Sequence, residues 1–381
     1  MTAGRGRIVV VGAGILGTMH ALWALELGYE VVHIERELAA RGASVRNFGL
    51  LWVSGRAPGP ELALALRARS LWQEIAARVE ALPLRTAGSL TVANSEAELA
   101  LMKQACQLGD AGLRQFELLD VPNAIAVNPE VSPEIAGALY CRADAIVEPR
   151  LTAGALREHL AAEPGYRWHP GRAVVELGPA KVRDDRGDWH ESDHVFLCTG
   201  ASFAGLIAQY VDRPRTRPVR LQMLETAPYP GHLTTALADG DSMRYYPAFD
   251  LPGRAALGPQ DQVAASYRAQ LLLVQRLDGG LTVGDTHEYD EPFPFDVQEE
   301  IYDYLRAKAA TCLRRPLPPV VRRWAGVYSE PLRTGPGLYW KEEILPGVEV
   351  VSGPGGLGMT CSPAIAETSM GALVERSSRT R

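Results

Sequence analysis

A glycine-rich turn near the amino terminus constrains the fold of this 381-residue chain more than any other feature. Residues 9–17 read V-V-V-G-A-G-I-L-G, so a G-x-G-x-x-G pattern follows an apolar run and opens a stretch with helical apolar spacing. A second apolar run, Glu30–Ile34, completes a strand–helix–strand unit, and such a unit requires a parallel sheet. The sequence therefore predicts a Rossmann-type dinucleotide-binding domain at the start of the chain.

The glycines and the acid that follows them have separate physical roles. Gly12 permits the tight turn, Gly14 lets a pyrophosphate approach the backbone, and Gly17 lets the helix pack on the strand. Glu35 ends the second strand, where a carboxylate accepts hydrogen bonds from ribose hydroxyls and disfavours a 2′-phosphate. The helix amino terminus supplies unpaired N–H groups. We therefore expect a nucleotide site that includes Gly12, Gly14, Ile15, Leu16, Gly17, Glu35 and Arg36.

Composition argues against several other classes of function. The formal net charge is −6, and no run of Lys or Arg is long enough to neutralise a row of phosphates, so nucleic acids and anionic membranes are not expected partners. The apolar run Ile8–Val11 is too short for a signal peptide or a membrane span. The five cysteines form no CxxC pair and no zinc-ligand spacing with histidine. We therefore expect reduced thiols, no metal site and a cytoplasmic protein.

The remaining segments indicate more than one sheet. Short alternating runs at Tyr166–His169, Ala173–Leu177, Lys181–Arg183 and Asp188–His190 predict hairpins that lead into the apolar strand His194–Cys198. Together they predict a sheet layered on the first one. Further strand-like runs among Pro and Gly turns predict a mixed sheet, at Val219–Thr226, Met243–Ala248 and Leu281–Val283. Helices are expected at Ile15–Gly28, Leu62–Leu82, Asn94–Gly112, Asp296–Arg314 and from Ser362-Pro363 onward.

The predicted fold class is α/β combined with α+β. A discontinuous Rossmann-type (GR2-like) domain is expected from residues 1–85, 140–215 and 320–381. An inserted, mixed β-sheet substrate domain is expected from residues 86–139 and 216–319.

Segments beyond the glycine turn carry a family resemblance. Residues 41–49, R-G-A-S-V-R-N-F-G, resemble the G-A-S-x-R-N-x-G segment that flavoenzymes of the D-amino-acid oxidase superfamily place along the flavin. Similar matches to this glycine- and sarcosine-oxidase-like group occur at Val195–Ser202, Gly284–Glu288, Arg323–Gly326 and Gly353–Thr360. The resemblance implies FAD held by Ser44, Arg46, Asn47, Gly49, Leu50, Val174, Thr199, Gly200, Trp324, Gly326, Gly355, Gly356, Leu357, Gly358, Met359 and Thr360. The sarcosine-oxidising branch of the superfamily attaches its flavin covalently through a cysteine near the tryptophan segment. Residues 326–328 read G-V-Y, without a cysteine, so the resemblance implies non-covalent FAD.

The resemblance also bears on the substrate. Amino-acid oxidases of this superfamily typically read G-L-R-P after the tryptophan, and the arginine clamps the substrate carboxylate. Residues 326–329 read G-V-Y-S, with Tyr328 in place of that arginine, so glycine or an ordinary D-amino acid is not expected. Segments Arg46–Gly49, Arg244–Pro247, Val274–Gly279 and Gly284–Tyr289 are similar to a bacterial subgroup associated with phosphonate breakdown. This similarity implies 2-aminoethylphosphonate or its N-methyl derivative as the substrate.

A phosphonate needs several donors, and the expected ones are Arg46, Arg244, Tyr245, Tyr328, Lys341 and His287. Arg46, His287 and Tyr328 are the candidate catalytic groups. Plainer interpretations remain for Arg244 as a solvated strand residue, Lys341 as a surface ion-pair partner and His287 as a surface residue.

The expected reaction is hydride transfer from the amine to flavin N5, hydrolysis of the imine to an aldehyde, and reoxidation by O₂ to give H₂O₂. Thr282 stands where sarcosine-type oxidases carry a lysine, so Arg46 or protonated His287 would supply the charge that attracts oxygen. A dehydrogenase with another electron acceptor stays open.

Two alternatives accompany this interpretation. One is an N-methyl or imino acid oxidase whose carboxylate is held by Tyr328 and a separate cation, possible also in specialised biosynthesis. The other is an NAD-dependent dehydrogenase or a non-catalytic nucleotide-binding protein, which only the amino-terminal unit supports. The sequence does not indicate an oligomeric state.

Overall fold

The computed structural model describes residues 5–213, 215–332 and 337–379. Its strands are β1 (Arg7–Val11), β2 (Glu30–Glu35), β3 (Leu50–Leu51), β4 (Leu84–Arg85), β5 (Ser89–Ala93), β6 (Phe116–Leu119), β7 (Gly137–Cys141), β8 (Ala145–Val147), β9 (Tyr166–Pro170), β10 (Val174–Gly178), β11 (Lys181–Asp184), β12 (Trp189–Glu191), β13 (His194–Leu197), β14 (Thr216–Thr226), β15 (Ala236–Ala238), β16 (Leu272–Gln275), β17 (Leu281–Gly284), β18 (Val320–Pro331), β19 (Trp340–Leu345) and β20 (Val348–Ser352). Its α-helices are α1 (Ile15–Glu26), α2 (Pro60–Ala76), α3 (Glu96–Ala105), α4 (Ala111–Arg114), α5 (Val121–Val127), α6 (Pro149–Ala161), α7 (Ser242–Tyr245), α8 (Gln262–Tyr267), α9 (Glu299–Cys312) and α10 (Gly358–Arg379). None of the helices within these ranges is long and apolar enough to cross a membrane.

The nucleotide-binding pattern lies in a six-stranded sheet of order β19-β20-β13-β1-β2-β9. All neighbours from β20 to β9 pair in parallel, and β19 adds an antiparallel edge. Helices α1 and α10 cover one face of this sheet, where they pack on strand residues such as Ile8, Val10 and Phe196. The separate antiparallel sheet β10-β11-β12 covers the other face through Leu177 and Val182. This two-sided cover is what a buried parallel sheet requires.

One predicted layer differs from the structure. The run Tyr166–His169 and the strand His194–Cys198 were expected with the layered sheet. Instead β9 pairs in parallel with β2 at the edge of the six-stranded sheet, and β13 pairs in parallel with β1 and β20 in its interior. Alternating polarity does not distinguish the two arrangements, because an edge strand is half exposed in either one.

The second large sheet has eight strands in the order β18-β14-β17-β16-β15-β5-β7-β6. Most neighbours pair antiparallel, while β15 and β5 are parallel. Helix α9 packs on one face through Ile301 and Leu305. The other face presents Leu221 and Leu272 toward the six-stranded sheet, where both side chains line the main cavity.

The observed sheets differ from the expected domain bounds at two places. Residues 320–331, expected with the nucleotide-binding segments, form β18 and pair along β14 in the eight-stranded sheet. Strand β7 spans the expected boundary between residues 139 and 140. Pairing partners distant in sequence decide both positions, and local sequence patterns do not contain that information.

Local structure differs from expectation in the segment 243–248. The strand predicted there is instead the short helix α7, followed by a 3₁₀ turn at Pro247–Phe249. The Ser242 hydroxyl donates to the Asp239 carbonyl at 2.6 Å, and Arg244 Nε donates to Asp241 Oδ1 at 3.0 Å. These side-chain bonds to the preceding turn stabilise a helical start over an extended chain.

Ser95 caps α3 as predicted, but the reciprocal bond of the capping box is shifted by one residue. The Ser95 hydroxyl accepts from the Glu98 N–H at 3.3 Å, and Glu98 Oε2 accepts from the Asn94 N–H at 2.6 Å. The helix ends at Ala105, earlier than predicted, because the chain turns and begins α4 at Ala111.

Candidate active site

A cavity of about 1160 Å³ lies between the two large sheets. At one end it is lined by the glycine turn, the end of β2 and Ala173-Val174. At the other end it is lined by tyrosines and a histidine from the eight-stranded sheet and its loops. One continuous cavity thus joins the predicted nucleotide site to the predicted substrate site.

At the glycine turn, backbone segments pack so closely that side chains would not fit. Gly12 has φ +98°, and a Cβ at this position would lie 2.4 Å from the Cys198 carbonyl oxygen. A Cβ on Gly17 would lie 1.9 Å from the Gly12 carbonyl oxygen, so α1 packs directly against the turn. Gly14 faces the Ser44 hydroxyl, which a Cβ would approach to 3.1 Å. This is a cradle that a dinucleotide pyrophosphate fits.

Glu35 lines the same end of the cavity. Its Oε2 accepts from the Ala13 N–H at 2.7 Å and its Oε1 accepts from the Glu37 N–H at 3.0 Å. A carboxylate has about four acceptor positions, so both oxygens retain capacity for ribose hydroxyls. Because Val174 lines this end as well, the nucleoside half of a dinucleotide fits between β2 and β10.

The loop at residues 43–49 is folded by its own side chains. Ser44 Oγ accepts from the Ile15 N–H at 2.9 Å, which ties the loop to the first turn of α1. Asn47 Nδ2 donates to the carbonyls of Ala43 and Ser44, and its Oδ1 accepts from the Gly49 N–H at 2.7 Å. The loop therefore keeps a fixed shape along the cavity wall, in agreement with the position that its resemblance implies.

The carboxy-terminal glycine loop forms the opposite wall. Residues Gly355–Leu357 make a 3₁₀ turn that runs into α10 at Gly358, and all four line the cavity together with Met359. Gly200 lies beside them, and its carbonyl accepts from the hydroxyls of Ser329 and Ser352 at 3.2 and 2.6 Å. The start of a 22-residue helix directs N–H groups and a partial positive charge toward this wall.

The substrate end is aromatic. The rings of Tyr245 and His287 stack with centroids 3.9 Å apart. The Tyr328 hydroxyl is buried and has no hydrogen-bond partner of regular geometry among the described residues. Burial raises the pKa of both Tyr245 and Tyr328 well above the usual value, so both hydroxyls stay protonated and can donate.

His287 is held in one tautomer beside a buried carboxyl group. Its Nδ1 lies 3.2 Å from the Arg268 carbonyl and must donate, since a carbonyl only accepts. Its Nε2 lies 3.9 Å from Asp285 Oδ2, and Asp285 Oδ1 accepts from Gln270 Nε2 at 3.3 Å. Burial raises the pKa of Asp285, and nearby His287 offsets part of that rise. In its neutral form His287 presents Nε2 as a proton acceptor at the cavity wall.

Most of the predicted site residues line this one cavity. They are Gly12, Gly14, Ile15, Leu16, Glu35, Arg36, Ser44, Arg46, Asn47, Leu50, Val174, Thr199, Gly200, Tyr245, His287, Gly326, Tyr328, Gly355, Gly356, Leu357, Gly358 and Met359.

Two predicted phosphonate donors do not reach the cavity. Arg244 is bound to Asp241 and donates to the carbonyls of Gly258 and Leu257 at 3.0 and 2.8 Å. Lys341 lies on edge strand β19, where its Nζ is 3.1 Å from the buried Glu349 carboxylate. Both cations are neutralised by their own neighbours, so neither is available for an anion in the cavity.

Four predicted cofactor residues support the walls without lining them. Gly17 packs α1 on the turn, and a Cβ on Gly49 would lie 2.0 Å from the Val147 carbonyl. Trp324 Nε1 contacts the Arg46 carbonyl at 3.5 Å. The Thr360 hydroxyl accepts from the Trp52 N–H at 2.9 Å, so it ties α10 to the segment after β3.

Several lining residues were not predicted from the sequence, among them Trp52, Arg56, Arg217, Tyr246, Asp285 and Tyr289. Tyr246, Asp285 and Tyr289 lie within segments that the resemblance had already marked, so proximity to those motifs was an available signal. Trp52 and Arg56 follow the loop motif without any pattern of their own.

The sheet order, the glycine cradle and the single long cavity define the class of this protein. It is a dinucleotide-binding protein in which a second sheet forms the far end of the cavity. The residues present fit FAD, since the cavity continues past the nucleoside end to a second glycine loop.

The comparisons agree with this class. The chain belongs to the FAD dependent oxidoreductase family, whose model matches residues 7–369. It is similar to D-amino-acid oxidase from Streptomyces coelicolor, with 28% identity over 256 residues, 66% of this chain and 69% of that protein. It is also similar to an opine oxidase subunit from Rhizobium meliloti, with 27% identity over 154 residues, 36% of this chain and 40% of that protein. The chain thus matches well under half the length of this second relative.

Solved structures show the same fold. Glycine oxidase from Bacillus cereus superimposes with a TM-score of 0.77 at 20% identity, covering 97% of this chain and 96% of that one. Iminodiacetate oxidase from Chelativorans sp. BNC1 has a TM-score of 0.71 at 18% identity, covering 95% and 93%. These findings confirm the predicted fold class, FAD as the cofactor and an oxidoreductase of the D-amino-acid oxidase superfamily. Membership of the phosphonate subgroup and non-covalent attachment stay predictions.

Proposed function

We propose that this chain uses FAD to oxidise a small amine that carries a carboxylate. The observation that carries the proposal is the charge at the aromatic end of the cavity. Arg46 is an exposed residue of the cavity lining beside Gly326, and its Nη1 donates to the Ala325 carbonyl at 3.1 Å. It has no carboxylate partner among the described residues, whereas Arg217 of the same cavity is bound by Glu330. Arg56, a second cation of the cavity, has Glu61 Oε1 at 3.6 Å as a partial counter-charge, so Arg46 is the cation left for one substrate carboxylate.

The aminoalkylphosphonate predicted from sequence has weaker support from this geometry. A phosphonate dianion needs more than one cation, and Arg244 and Lys341 are engaged elsewhere. The phosphonate therefore becomes the alternative that the experiment distinguishes.

Each residue at the aromatic end has a role in this reaction. Arg46 binds the carboxylate, and the hydroxyls of Tyr245 and Tyr328 donate to it or orient the amine. His287 Nε2 accepts the ammonium proton, because oxidation requires the neutral amine and Nδ1–H is already held by the Arg268 carbonyl. Bound FAD supplies the hydride acceptor.

The test compares matched amines by anaerobic reduction of the bound flavin. N-methylglycine is paired with N-methylaminomethylphosphonate, and β-alanine with 2-aminoethylphosphonate, while the loss of absorbance near 450 nm gives the rate. We expect faster reduction by the carboxylates. Faster reduction by either phosphonate partner contradicts the proposal and supports the phosphonate alternative. Reoxidation in air with formation of H₂O₂ distinguishes an oxidase from a dehydrogenase.

The variant Arg46→Gln tests the assigned charge. A charge-assisted hydrogen bond contributes about 1.5–3 kcal/mol, so the half-saturating carboxylate concentration should rise roughly 10- to 100-fold. Arg78→Gln, which removes an exposed ion pair with Glu26, is the control. An unchanged half-saturating concentration in Arg46→Gln would exclude Arg46 as the carboxylate-binding residue.

A further inference from the structure

Two fully buried charged side chains fix the short segment Trp52–Arg56. Asp144 accepts from the N–H groups of Val53 and Ser54 at 2.5 and 3.0 Å, and from the Ser54 hydroxyl at 2.7 Å. From the other side, Arg114 donates to three carbonyls of the same segment at 3.0, 3.0 and 2.7 Å. Both side chains are 0% exposed. Burying charges is costly unless they are fully hydrogen-bonded, and these bonds hold one backbone conformation in place.

The fixed segment presents a buried cation to the cavity. Arg56 lines the cavity, and its side chain is 7% exposed. Its Nε donates to the Trp52 carbonyl at 2.7 Å, and its Nη2 contacts the Gly356 carbonyl at 3.4 Å. Trp52 also lines the cavity, and its buried indole N–H has no hydrogen-bond partner among the described residues. The segment therefore contributes the Arg56 charge and the unpaired Trp52 indole N–H to the lining of the cavity.

The charge of Arg56 is only partly balanced. Its Nη1 lies 3.6 Å from Glu61 Oε1, beyond hydrogen-bond distance, and the Glu61 side chain is more exposed at 17%. A cation with little solvent around it acts over a longer distance than one at the surface, because the local dielectric constant is low. The glycine loop that Arg56 contacts forms the wall of the predicted flavin site, and two-electron reduction increases the negative charge on a flavin.

We propose that the buried charge of Arg56, held beside the glycine loop at residues 355–358, raises the reduction potential of the bound FAD. Glu61 limits the effect as a partial counter-charge. The inference depends on FAD binding, which the family membership shows, and not on the identity of the amine. Its failure is therefore distinguishable from a failure of the proposed substrate.

The test measures the potential of the purified holoenzyme by equilibration with a reference dye, without any amine substrate. Arg56→Met removes the charge and keeps much of the side-chain length. We expect the equilibrium constant for two-electron reduction to fall about tenfold, which corresponds to about 30 mV. Glu61→Gln removes the counter-charge and should shift the potential in the opposite direction. Arg56→Lys keeps the charge and should stay within about threefold of the unmodified protein.

A purely structural role predicts other results. If Arg56 only held the loop by its fork of hydrogen bonds, Lys would not restore the potential, and FAD affinity would fall equally in both Arg56 variants. An unchanged potential in Arg56→Met, or shifts of the same sign in Arg56→Met and Glu61→Gln, overturns the proposal. Should Arg56→Met not retain FAD, an unchanged potential in Glu61→Gln overturns it instead. Arg67→Gln, an exposed residue of α2 paired with Glu367, is the control.

Discussion

Single residues of this protein are most constrained where backbone meets backbone. At Gly12 and Gly17 the atom that a Cβ would strike is a carbonyl oxygen, at 2.4 and 1.9 Å. A side-chain neighbour can rotate away, but a carbonyl fixed in a strand or turn cannot. These glycines therefore serve the cofactor site by geometry, without contributing any functional group.

Gly12→Ala should abolish or strongly reduce FAD binding. The substitution adds the clash with Cys198 to a φ of +98°, which residues with a side chain rarely adopt, so the turn must move away from the position that accepts a pyrophosphate. The ratio of absorbance at 450 nm to that at 280 nm measures the FAD content. Gly154→Ala is the matched control, since it lies in α6 with no atom within 4 Å of the added Cβ. Full FAD content in Gly12→Ala would contradict this account.

At the scale of elements, α10 shows how a helix accommodates a proline. The sequence predicts that this helix begins at Ser362-Pro363, but it begins at Gly358 and contains Pro363. Proline cannot donate to the Met359 carbonyl four residues earlier. The buried indole of Trp72 donates to the Met359 and Thr360 carbonyls instead, at 3.2 and 3.0 Å. The Trp72 side chain of α2 thus stabilises the first turn of α10, which directly follows the glycine loop.

Trp72→Phe should lower the free energy of unfolding by about 1–3 kcal/mol, because the buried Met359 carbonyl would lose its donor. Lost packing adds to this effect. Pro363→Ala restores a backbone N–H, so in the Trp72→Phe background it should recover about 1 kcal/mol. Urea denaturation of both single variants and the double variant measures this coupling. Trp189→Phe, at an exposed position, is the control. Strict additivity of the two changes would show that Trp72 does not replace the missing donor.

At the scale of the whole molecule, a buried acid directly after β15 makes the free energy of unfolding depend on pH. Asp239 is 1% exposed, and its Oδ2 lies 3.9 Å from Lys308 Nζ. Burial, reinforced by Asp241, raises the pKa of Asp239 to about 7, while Lys308 opposes the rise. Between the ordinary carboxyl range and pH 7, the folded protein holds a proton that the unfolded chain releases.

The contribution of Asp239 to the free energy of unfolding should therefore fall as pH rises from about 5 to 7, with a slope of at most about 1.4 kcal/mol per pH unit. Asp239→Asn should remove this part of the pH dependence, because an amide does not titrate. The fold should be retained, since the amide oxygen can still accept from the N–H groups of Asp241 and Leu271. Urea denaturation at pH 5.5 and 8 measures both proteins, with the exposed Asp303→Asn as the control. Equal pH dependence in the unmodified protein and Asp239→Asn would contradict the prediction.

Much of the cofactor site was predictable because its determinants are local in sequence. The turn at Gly12–Gly17 and the acid at Glu35 belong to one strand–helix–strand unit, and the residue spacing within that unit predicts them. The same holds for the loop at residues 43–49, whose shape is fixed by its own Asn47.

The sequence by itself determined that this chain builds a dinucleotide cradle and which residues form it, since backbone clashes and short-range hydrogen bonds leave little choice. Only the tertiary structure decided which cations face the cavity. Arg46 and Arg56 do, whereas Arg244 and Lys341 do not, because ion pairs with Asp241 and Glu349 hold the latter two elsewhere. Electrostatic partners are chosen by proximity in space, and a sequence lists charges without stating their neighbours.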